Sequence, residues 1–188
     1  SCPSGDTRAV AMRVAVSGDT AFVADATSGM QVVDVTEPSE PSVVSSYDTT
    51  GTTQGVVVEG DIAYLADGSA LRVLNVSNPL VPVLMGSLET PSGAKDVAVA
   101  GNTAYLAAGA GGLLAVDVTD PSSPTLLGAY DSPGYTWSVA VDGDMAYLAD
   151  GDLLVLDVSD PSAPSLIGTY DAAGAREVVV SSDTAYVS

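Results

Sequence analysis

Short apolar runs alternate with small and polar turn residues along the whole chain, always in the same order. Val14-Ala15-Val16 is followed by Ser17-Gly18-Asp19-Thr20 and then by Ala21-Phe22-Val23-Ala24. Two apolar runs joined by Gly-Asp predict a β-hairpin, because Gly and Asp tolerate the positive φ angles of tight hairpin turns. No 3.6-residue period of apolar positions occurs, so the pattern predicts strands and excludes helical repeats.

A third apolar run ending in Asp-Val, and then a turn with two prolines, complete the unit. The third run is Gln31 to Val35, and a fourth strand is predicted at Val43 to Tyr47. Proline cannot donate a hydrogen bond to a neighbouring strand, so the prolines end the third strand. The unit therefore predicts a four-stranded antiparallel meander.

This unit recurs about every 42 residues. Its turn residue is Asp19, Asp61, Asn102, Asp144 and Asp183, at spacings of 42, 41, 42 and 39 positions. We interpret the chain as one domain with four complete repeats, at approximately 13–54, 55–95, 96–137 and 138–176, and a partial repeat at 177–188. A fixed period of this length indicates stacked copies of one supersecondary unit.

Several predicted strands are apolar at consecutive positions, for example Ala63 to Ala66 and Leu153 to Leu156. A sheet with one face in water would alternate apolar and polar side chains, so both faces of these sheets are expected to be covered. Four-stranded sheets stacked face to face around an axis meet this requirement, and that is the β-propeller arrangement. We predict an all-β propeller or propeller fragment with about four complete blades and a half-blade.

The third runs also carry a family resemblance. Leu113 to Val118 and Leu153 to Val158, each followed by Thr/Ser-Asp-Pro and a second proline, resemble LVIVD repeats. The resemblance covers nearly all of the chain, and it implies a β-propeller domain of the kind found in exported or surface proteins of bacteria and archaea. It implies no activity, because propellers carry unrelated functions. Closed propellers of this kind usually have more blades.

The fifth repeat stops after its second strand, at Ser188. A hairpin paired only with itself leaves an apolar face and an edge exposed, which promotes association. We expect the sequence to be part of a longer chain. The alternatives are that a second copy completes the blade, giving a homo-oligomer, or that Gly5 to Met12 completes it in cis. Ser1 to Thr7 is too polar to match a fourth strand such as Leu166 to Tyr170.

The chain is strongly acidic, with 24 Asp and Glu, 5 Lys and Arg, and a formal net charge of -19. This balance repels phosphate backbones and anionic lipids, so we predict no nucleic-acid partner. A hydrophobic content of 46% predicts a folded chain. No apolar run reaches the length of a membrane helix, so no membrane insertion is predicted. Few lysines and many Ser, Thr, Gly and Asp residues favour an extracellular or cell-surface location in a prokaryote.

Catalysis finds little support in the sequence. The chain has no His to act as a general base, and the single Cys2 has no partner for thiol chemistry. Zinc, haem and iron sites of the usual kinds are not expected for the same reason. We predict a noncatalytic module for binding or assembly whose partner is a protein or a glycan. The alternatives are a structural subunit that polymerises by completing its partial blade, and an accessory propeller of a larger hydrolase or redox enzyme.

Residues that depart from the repeat mark the first candidate site. Tyr135 and Trp137 have no aromatic counterpart in other units, and they lie in a connector entering an inner strand, where a propeller exposes the mouth of its channel. Aromatic faces beside hydrogen-bonding groups suit a sugar or a peptide. The alternative is that the basic residues Arg13, Lys95 and Arg176 offset local acidity and that Trp137 fills the channel. The predicted channel-rim site consists of Arg13, Gln54, Lys95, Asp96, Tyr135, Trp137 and Arg176, with Glu177 beside them.

Acidic turns are the second candidate site, with calcium as the only cofactor that the sequence suggests. Asp150-Gly151-Asp152, with Asp142 and Asp144 in the neighbouring turn, resembles a fragment of an oxygen-rich Ca²⁺ loop. No complete calcium-loop pattern is present, and Asp and Gly are also the ordinary residues of turns. Two interpretations stay open here, a metal site at Asp142, Asp144, Asp150 and Asp152 or turn chemistry alone.

Overall fold

The structured part of the chain is built from antiparallel β-strands. The structure, a computed structural model, describes residues 10–182 and 184–188, with the backbone alone at Pro91. Every named element in these residues is a strand. Residues 1–9, which include Ser1 to Thr7 and most of the Gly5 to Met12 segment considered above for the fifth blade, lie outside the described residues. Among the residues described, no helix is long and apolar enough to cross a membrane.

Seventeen strands form five groups in chain order, which we number as blades 1 to 5. Blade 1 contains β1 (Ala11–Ser17), β2 (Thr20–Asp25), β3 (Met30–Asp34) and β4 (Ser42–Tyr47). Blade 2 contains β5 (Thr53–Glu59), β6 (Ile62–Asn75) and β7 (Val83–Ala94). Blade 3 contains β8 (Asp96–Ala100), β9 (Thr103–Ala107), β10 (Leu113–Asp117) and β11 (Thr125–Tyr130). Blade 4 contains β12 (Ser138–Asp142), β13 (Met145–Ala149), β14 (Gly151–Asp157) and β15 (Ser165–Ala175), and the half-blade 5 contains β16 (Val178–Ser181) and β17 (Thr184–Val187).

Blade 2 follows the same meander as the others, although its second and third strands are continuous in β6. The two ends of β6 meet, since the amide of Val76 donates to the carbonyl of Asp61 at 2.8 Å. A straight strand of this length would hold its ends roughly 45 Å apart. Gly68, at a φ of +60°, lies in the middle of β6 and turns the chain. The four full blades therefore share one four-stranded arrangement, as the repeat predicted.

The blades stack face to face around an axis that is bordered by their inner strands. The inner strands β1, β5, β8, β12 and β16 lie side by side in that order. Each apolar core lies between two blades, so that Tyr64 and Leu71 of blade 2 pack with Val97 and Leu106 of blade 3. The same packing joins blades 1 and 2, blades 3 and 4, and blade 4 with the half-blade. The prediction of an all-β propeller architecture is confirmed.

Every blade has a turn end and a connector end. At the turn end, the first hairpin turn meets the end of the third strand, as where the amide of Val35 donates to the carbonyl of Asp19 at 2.9 Å. Blade 3 repeats this bond between Val118 and Asn102. At the connector end, the chain crosses from the outer strand of one blade to the inner strand of the next. The residues predicted for the channel rim all belong to the connector end.

Candidate functional site

Two successive residues precede the first valine of each inner strand, and they form two layers at the connector end. These valines are Val14, Val56, Val97, Val139 and Val178. The rim layer, two positions before the valine, consists of Met12, Gln54, Lys95, Trp137 and Arg176. The plug layer, one position before it, consists of Arg13, Gly55, Asp96, Ser138 and Glu177.

Arg13 joins the plug layer across the axis. Its guanidinium donates to the carboxylate of Asp96 in blade 3 and to the Oγ of Ser138 in blade 4, the latter at 3.0 Å. It also donates to the Oε1 of Glu177, next to the half-blade, at 2.7 Å. Gly55 leaves room for these groups, because a Cβ at this position would lie 2.9 Å from the Cα of Asp96. All five described blades therefore contribute to the plug.

Asp96 is the buried carboxylate at the centre of the plug, with 3% exposure. Besides Arg13, its oxygens accept from the Oγ of Ser138 at 2.8 Å and from the amides of Val97 and Val139 at 3.0 and 3.2 Å. Burial raises the pKa of Asp96, and the charge of Arg13 and these hydrogen bonds oppose that shift. The arrangement leaves neither Asp96 nor Arg13 as an unpaired buried charge.

The rim layer borders a cavity of about 460 Å³ above the plug. All five of its residues line this cavity, although they come from five different blades. A volume of this size is typical of a small-molecule site. Of the seven residues predicted for the rim, Asp96 lies beneath the cavity in the plug, and Tyr135 stands behind Trp137. The other five border the cavity directly: Arg13, Gln54, Lys95, Trp137 and Arg176.

Two rings and two cations form a ladder along the rim. The Nζ of Lys95 lies 5.8 Å from the ring centroid of Tyr135. The rings of Tyr135 and Trp137 are 4.4 Å apart between centroids, and the Cζ of Arg176 lies 4.9 Å from the ring centroid of Trp137. Cation–π contacts attract a cation without using its N–H donors. Lys95 and Arg176 therefore stay in place with donors available to a ligand.

A second cavity, of about 290 Å³, continues along the axis below the plug. Its walls are inner-strand residues such as Val57, Val99 and Val141, so it is mostly apolar. Arg13 borders both cavities, whereas Trp137 borders only the upper one of the two. The plug thus separates a polar rim from an apolar channel, and Trp137 belongs to the rim.

The four carboxylates considered as a calcium site do not converge, which corrects that interpretation. Asp142 and Asp144 flank the turn between β12 and β13, whereas Asp150 and Asp152 follow the opposite end of β13. The five residues of β13 lie between the two pairs, so six residue steps, about 20 Å, separate Asp144 from Asp150. Within residues 10–182 and 184–188, no group of three Asp, Glu, His or Cys side chains is arranged to hold a metal ion.

Asp150 instead fixes the connector that carries Tyr135 and Trp137. Its carboxylate accepts from the Oγ of Ser132 at 3.2 Å, the Oγ1 of Thr136 at 3.1 Å and the amide of Gly134 at 2.9 Å. Turn chemistry alone does not explain this role, because Asp150 is only 7% exposed and its carboxylate binds residues 132–136 of the connector that enters blade 4. The sequence pattern did not reveal it.

Asp67 has the same role in the connector that enters blade 2. It accepts from Thr49 at 2.7 Å and from Thr53 at 2.9 Å, and the Nε of Arg72 donates to its other oxygen at 2.5 Å. Both sites share one spacing, with two hydroxyl residues four positions apart and an Asp fourteen positions after the second. That spacing is the signal in the sequence from which the role could have been found.

The stacked four-stranded blades define a repeat protein of the β-propeller class. The family model of the LVIVD repeat matches residues 9–49, 50–90, 92–132 and 133–172, which is most of the chain. The chain belongs to the LVIVD repeat family, as the resemblance of its third strands indicated. No curated protein matches the chain.

Solved structures share this fold at low sequence identity. A functionally unknown protein from Desulfotomaculum acetoxidans has a TM-score of 0.77 and 16% identity, over 98% of this chain and 67% of that one. A protein from Lactobacillus plantarum has a TM-score of 0.80 and 15% identity, over 90% of this chain and 60% of that one. The computationally designed protein Ika8 has a TM-score of 0.71 and 11% identity, over 93% of this chain and 54% of that one. The chain thus spans only 54% to 67% of the length of these three proteins.

Proposed function

We propose that this chain is a noncatalytic binding module, exposed outside the cell, that holds its ligand in the rim cavity. One observation carries the proposal. The rim-layer position has a different residue in each blade, and all five of these side chains border the same cavity. In a repeat protein, shared residues support the common fold, whereas residues that differ at one position on a common surface are available for recognition.

The chemistry of the rim supports a glycan or a protein segment as the ligand. Trp137 presents its indole ring to the cavity, and the amide of Gln54 both donates and accepts hydrogen bonds. Glu177 is the acidic side chain among the described residues of the cavity wall, and it is paired with Arg13. Hydrolysis of a glycosidic bond normally uses two carboxylates, so this wall favours binding over catalysis. The extracellular location rests on composition.

A fluorescence titration tests this function directly, because Trp137 is the only tryptophan of the chain. A panel of oligosaccharides and short peptides is titrated, and the true ligand is expected to change the emission of Trp137. Trp137→Ala should weaken the same binding, measured by calorimetry, by about tenfold or more. Equal affinity of this variant and the wild type, or no response to any probe, would rule out the rim cavity as the site.

A second candidate function, association through blade faces, is favoured by the two ends of the stack. Val14 is 59% exposed, but Val97 is only 5% exposed at the same repeat position. Tyr186 is 61% exposed, but its counterpart Tyr64 is 6% exposed. The neighbouring blade covers Val97 and Tyr64. Within residues 10–182 and 184–188, each end of the stack therefore presents an apolar face of the kind that packs against a blade elsewhere in the stack.

Light scattering over a range of concentrations distinguishes this second function. A structural subunit is expected to give oligomers that Val14→Lys or Tyr186→Lys dissociates. Thermal unfolding of the two point variants shows whether each is still folded. A wild-type chain that stays monomeric at the highest concentration would exclude association through these faces.

A further inference from the structure

We propose that the ligand of the rim cavity is a carbohydrate that carries a carboxylate, such as a uronic acid residue. This inference rests on the proposed function, because it names the ligand class of that site. Its starting point is the distribution of positive charge. Three of the chain's five Lys and Arg residues border the cavity, although the chain has a net charge of -19.

Two of these cations are available to an anion. Arg13 is paired with Asp96 and Glu177, which account for its charge. The remaining ion pair within residues 10–182 and 184–188 joins Arg72 to Asp67, outside the rim. Lys95 and Arg176 therefore have no carboxylate partner in the described part of a chain with 24 acidic residues. A ligand carboxylate would gain charge-assisted hydrogen bonds from them.

The arrangement of the rings favours a sugar as the carrier of that carboxylate. Lys95 and Arg176 lie at opposite ends of the Tyr135–Trp137 pair, so an anion bound by either cation is beside an aromatic face. The apolar C–H groups of a pyranose can pack against the part of Trp137 that borders the cavity, and the side-chain amide of Gln54 can hydrogen-bond the hydroxyls of the sugar. An acidic peptide is the competing ligand class, because clusters of basic residues also recognise acidic motifs. A pyranose is favoured because it carries its carboxylate next to apolar C–H groups that pack against Trp137.

The test compares acidic disaccharides with their uncharged forms. The probes are disaccharides of galacturonic, glucuronic and mannuronic acid, each titrated as the acid and as its methyl ester, with Trp137 fluorescence and calorimetry as readouts. At least one acid is expected to bind, with its ester about tenfold weaker or more. Arg176→Gln and Lys95→Gln should each weaken the binding of the acid by a similar factor and leave the affinity for the ester unchanged.

The chain offers a matched control for the change in net charge. Asn78→Asp also lowers the net charge by one unit, but it does so at the turn end. Blades 3 and 4 carry Asp120 and Asp160 there, in the same hydrogen-bonded turn. This variant is expected to bind the acid as the wild type does. Arg176→Lys, which keeps the charge, should stay within about threefold of the wild type, and thermal unfolding shows that each variant is folded.

The failures of the two proposals are distinguishable. Equal binding of an acid and its ester would overturn the proposal that the ligand carries a carboxylate, and so would an unchanged affinity of both Arg176→Gln and Lys95→Gln for the acid. Binding at the rim would still stand. A Trp137 response to hexaglutamate or to neutral sugars, but to none of the three acids, would overturn the acidic sugar as the ligand and leave binding at the rim intact. No response to any sugar or peptide would overturn both proposals.

Discussion

The turn end and the connector end of the blades are joined by the same strands, yet they use sequence in different ways. At the turn end, one hydrogen bond is repeated in all four full blades, from a backbone amide to the side chain two residues earlier. The acceptors are Asp34, Asn75, Asp117 and Asp157, at 2.9, 2.9, 2.8 and 2.9 Å. At the connector end, the rim-layer residue differs in every blade. Positions that repeat in every blade thus stabilise the common fold, whereas positions that vary between blades are available to bind a ligand.

The two ends also differ in how far along the chain their contacts reach. A turn-end bond joins residues two positions apart, so each blade forms it alone. In the plug, Arg13 reaches Asp96 across 83 positions and Glu177 across 164 positions. The connector end therefore depends on the stacking of several blades, and substitutions there should have larger effects.

The largest effect is expected for Arg13→Met in the plug. Without Arg13, the buried carboxylate of Asp96 loses its charge partner, so the free energy of unfolding at pH 7 should fall by about 3 kcal/mol. Burial raises the pKa of Asp96, so the folded state prefers this acid protonated, and the loss should shrink as the pH falls. Chemical denaturation at several pH values measures both effects. Adding Asp96→Leu should restore part of the stability, and a further loss instead would contradict the charge argument.

A pair of glycine substitutions compares steric tolerance at the two ends. Both Gly112, at the connector end, and Gly101, at the turn end, have positive φ, at +70° and +57°. A Cβ on Gly112 would lie 2.1 Å from the carbonyl oxygen of Tyr130, whereas a Cβ on Gly101 meets nothing within 4 Å. Gly101→Ala should lower the free energy of unfolding by about 1 kcal/mol, because of its positive φ alone. Gly112→Ala should lower it by about 2 kcal/mol more, because of the added steric clash. Equal midpoints of urea unfolding would show that the connector end relaxes freely.

A smaller effect is expected for Thr136→Val in the connector before Trp137. The variant removes the hydroxyl that donates to buried Asp150 at 3.1 Å, which should cost about 1 to 2 kcal/mol. Because the connector then loses one of its three bonds to Asp150, the emission of Trp137 should also change. Thr125→Val is the control at the turn end of blade 3, where the residue is exposed and a change within about 0.5 kcal/mol is expected. An unchanged emission spectrum would argue against Asp150 as the anchor of this connector.

The smallest effect is expected for Asp117→Asn at the turn end. Blade 2 already has Asn75 at this position with the same bond to the amide of Ser77, so the melting temperature at pH 7 should hardly change. Hydrogen bonds from the side chain and the amide of Thr119 lower the pKa of Asp117. A lowered pKa contributes stability above the ordinary pKa of Asp, near 4, and that contribution is lost as the pH falls below it. Between pH 7 and pH 3, the melting temperature of Asp117→Asn should therefore fall less than that of the wild type. An equal fall in both proteins would contradict this.

The repeat determined much of this protein from sequence alone. Gly-Asp turns, paired apolar runs and proline turns predict the four-stranded blades, because each of these signals acts within a few residues. The apolar positions on both strand faces predict stacking, because a buried sheet cannot leave one face in water. Departures from the repeat also identify the connector positions of Lys95, Trp137 and Arg176, since equivalent repeat positions must lie at the same end of every blade.

The tertiary structure alone decided how these positions combine. The acids Asp142 and Asp150 are close in sequence but lie at opposite ends of a strand, so proximity along the chain was misleading for a metal site. Arg13 and Glu177 are far apart in sequence but joined at 2.7 Å, because the stacked blades curve around one axis. The sequence thus determined the blades and where they vary. The curvature of the stack decided which variable residues share a cavity, because it is set by packing between blades and not by any single repeat.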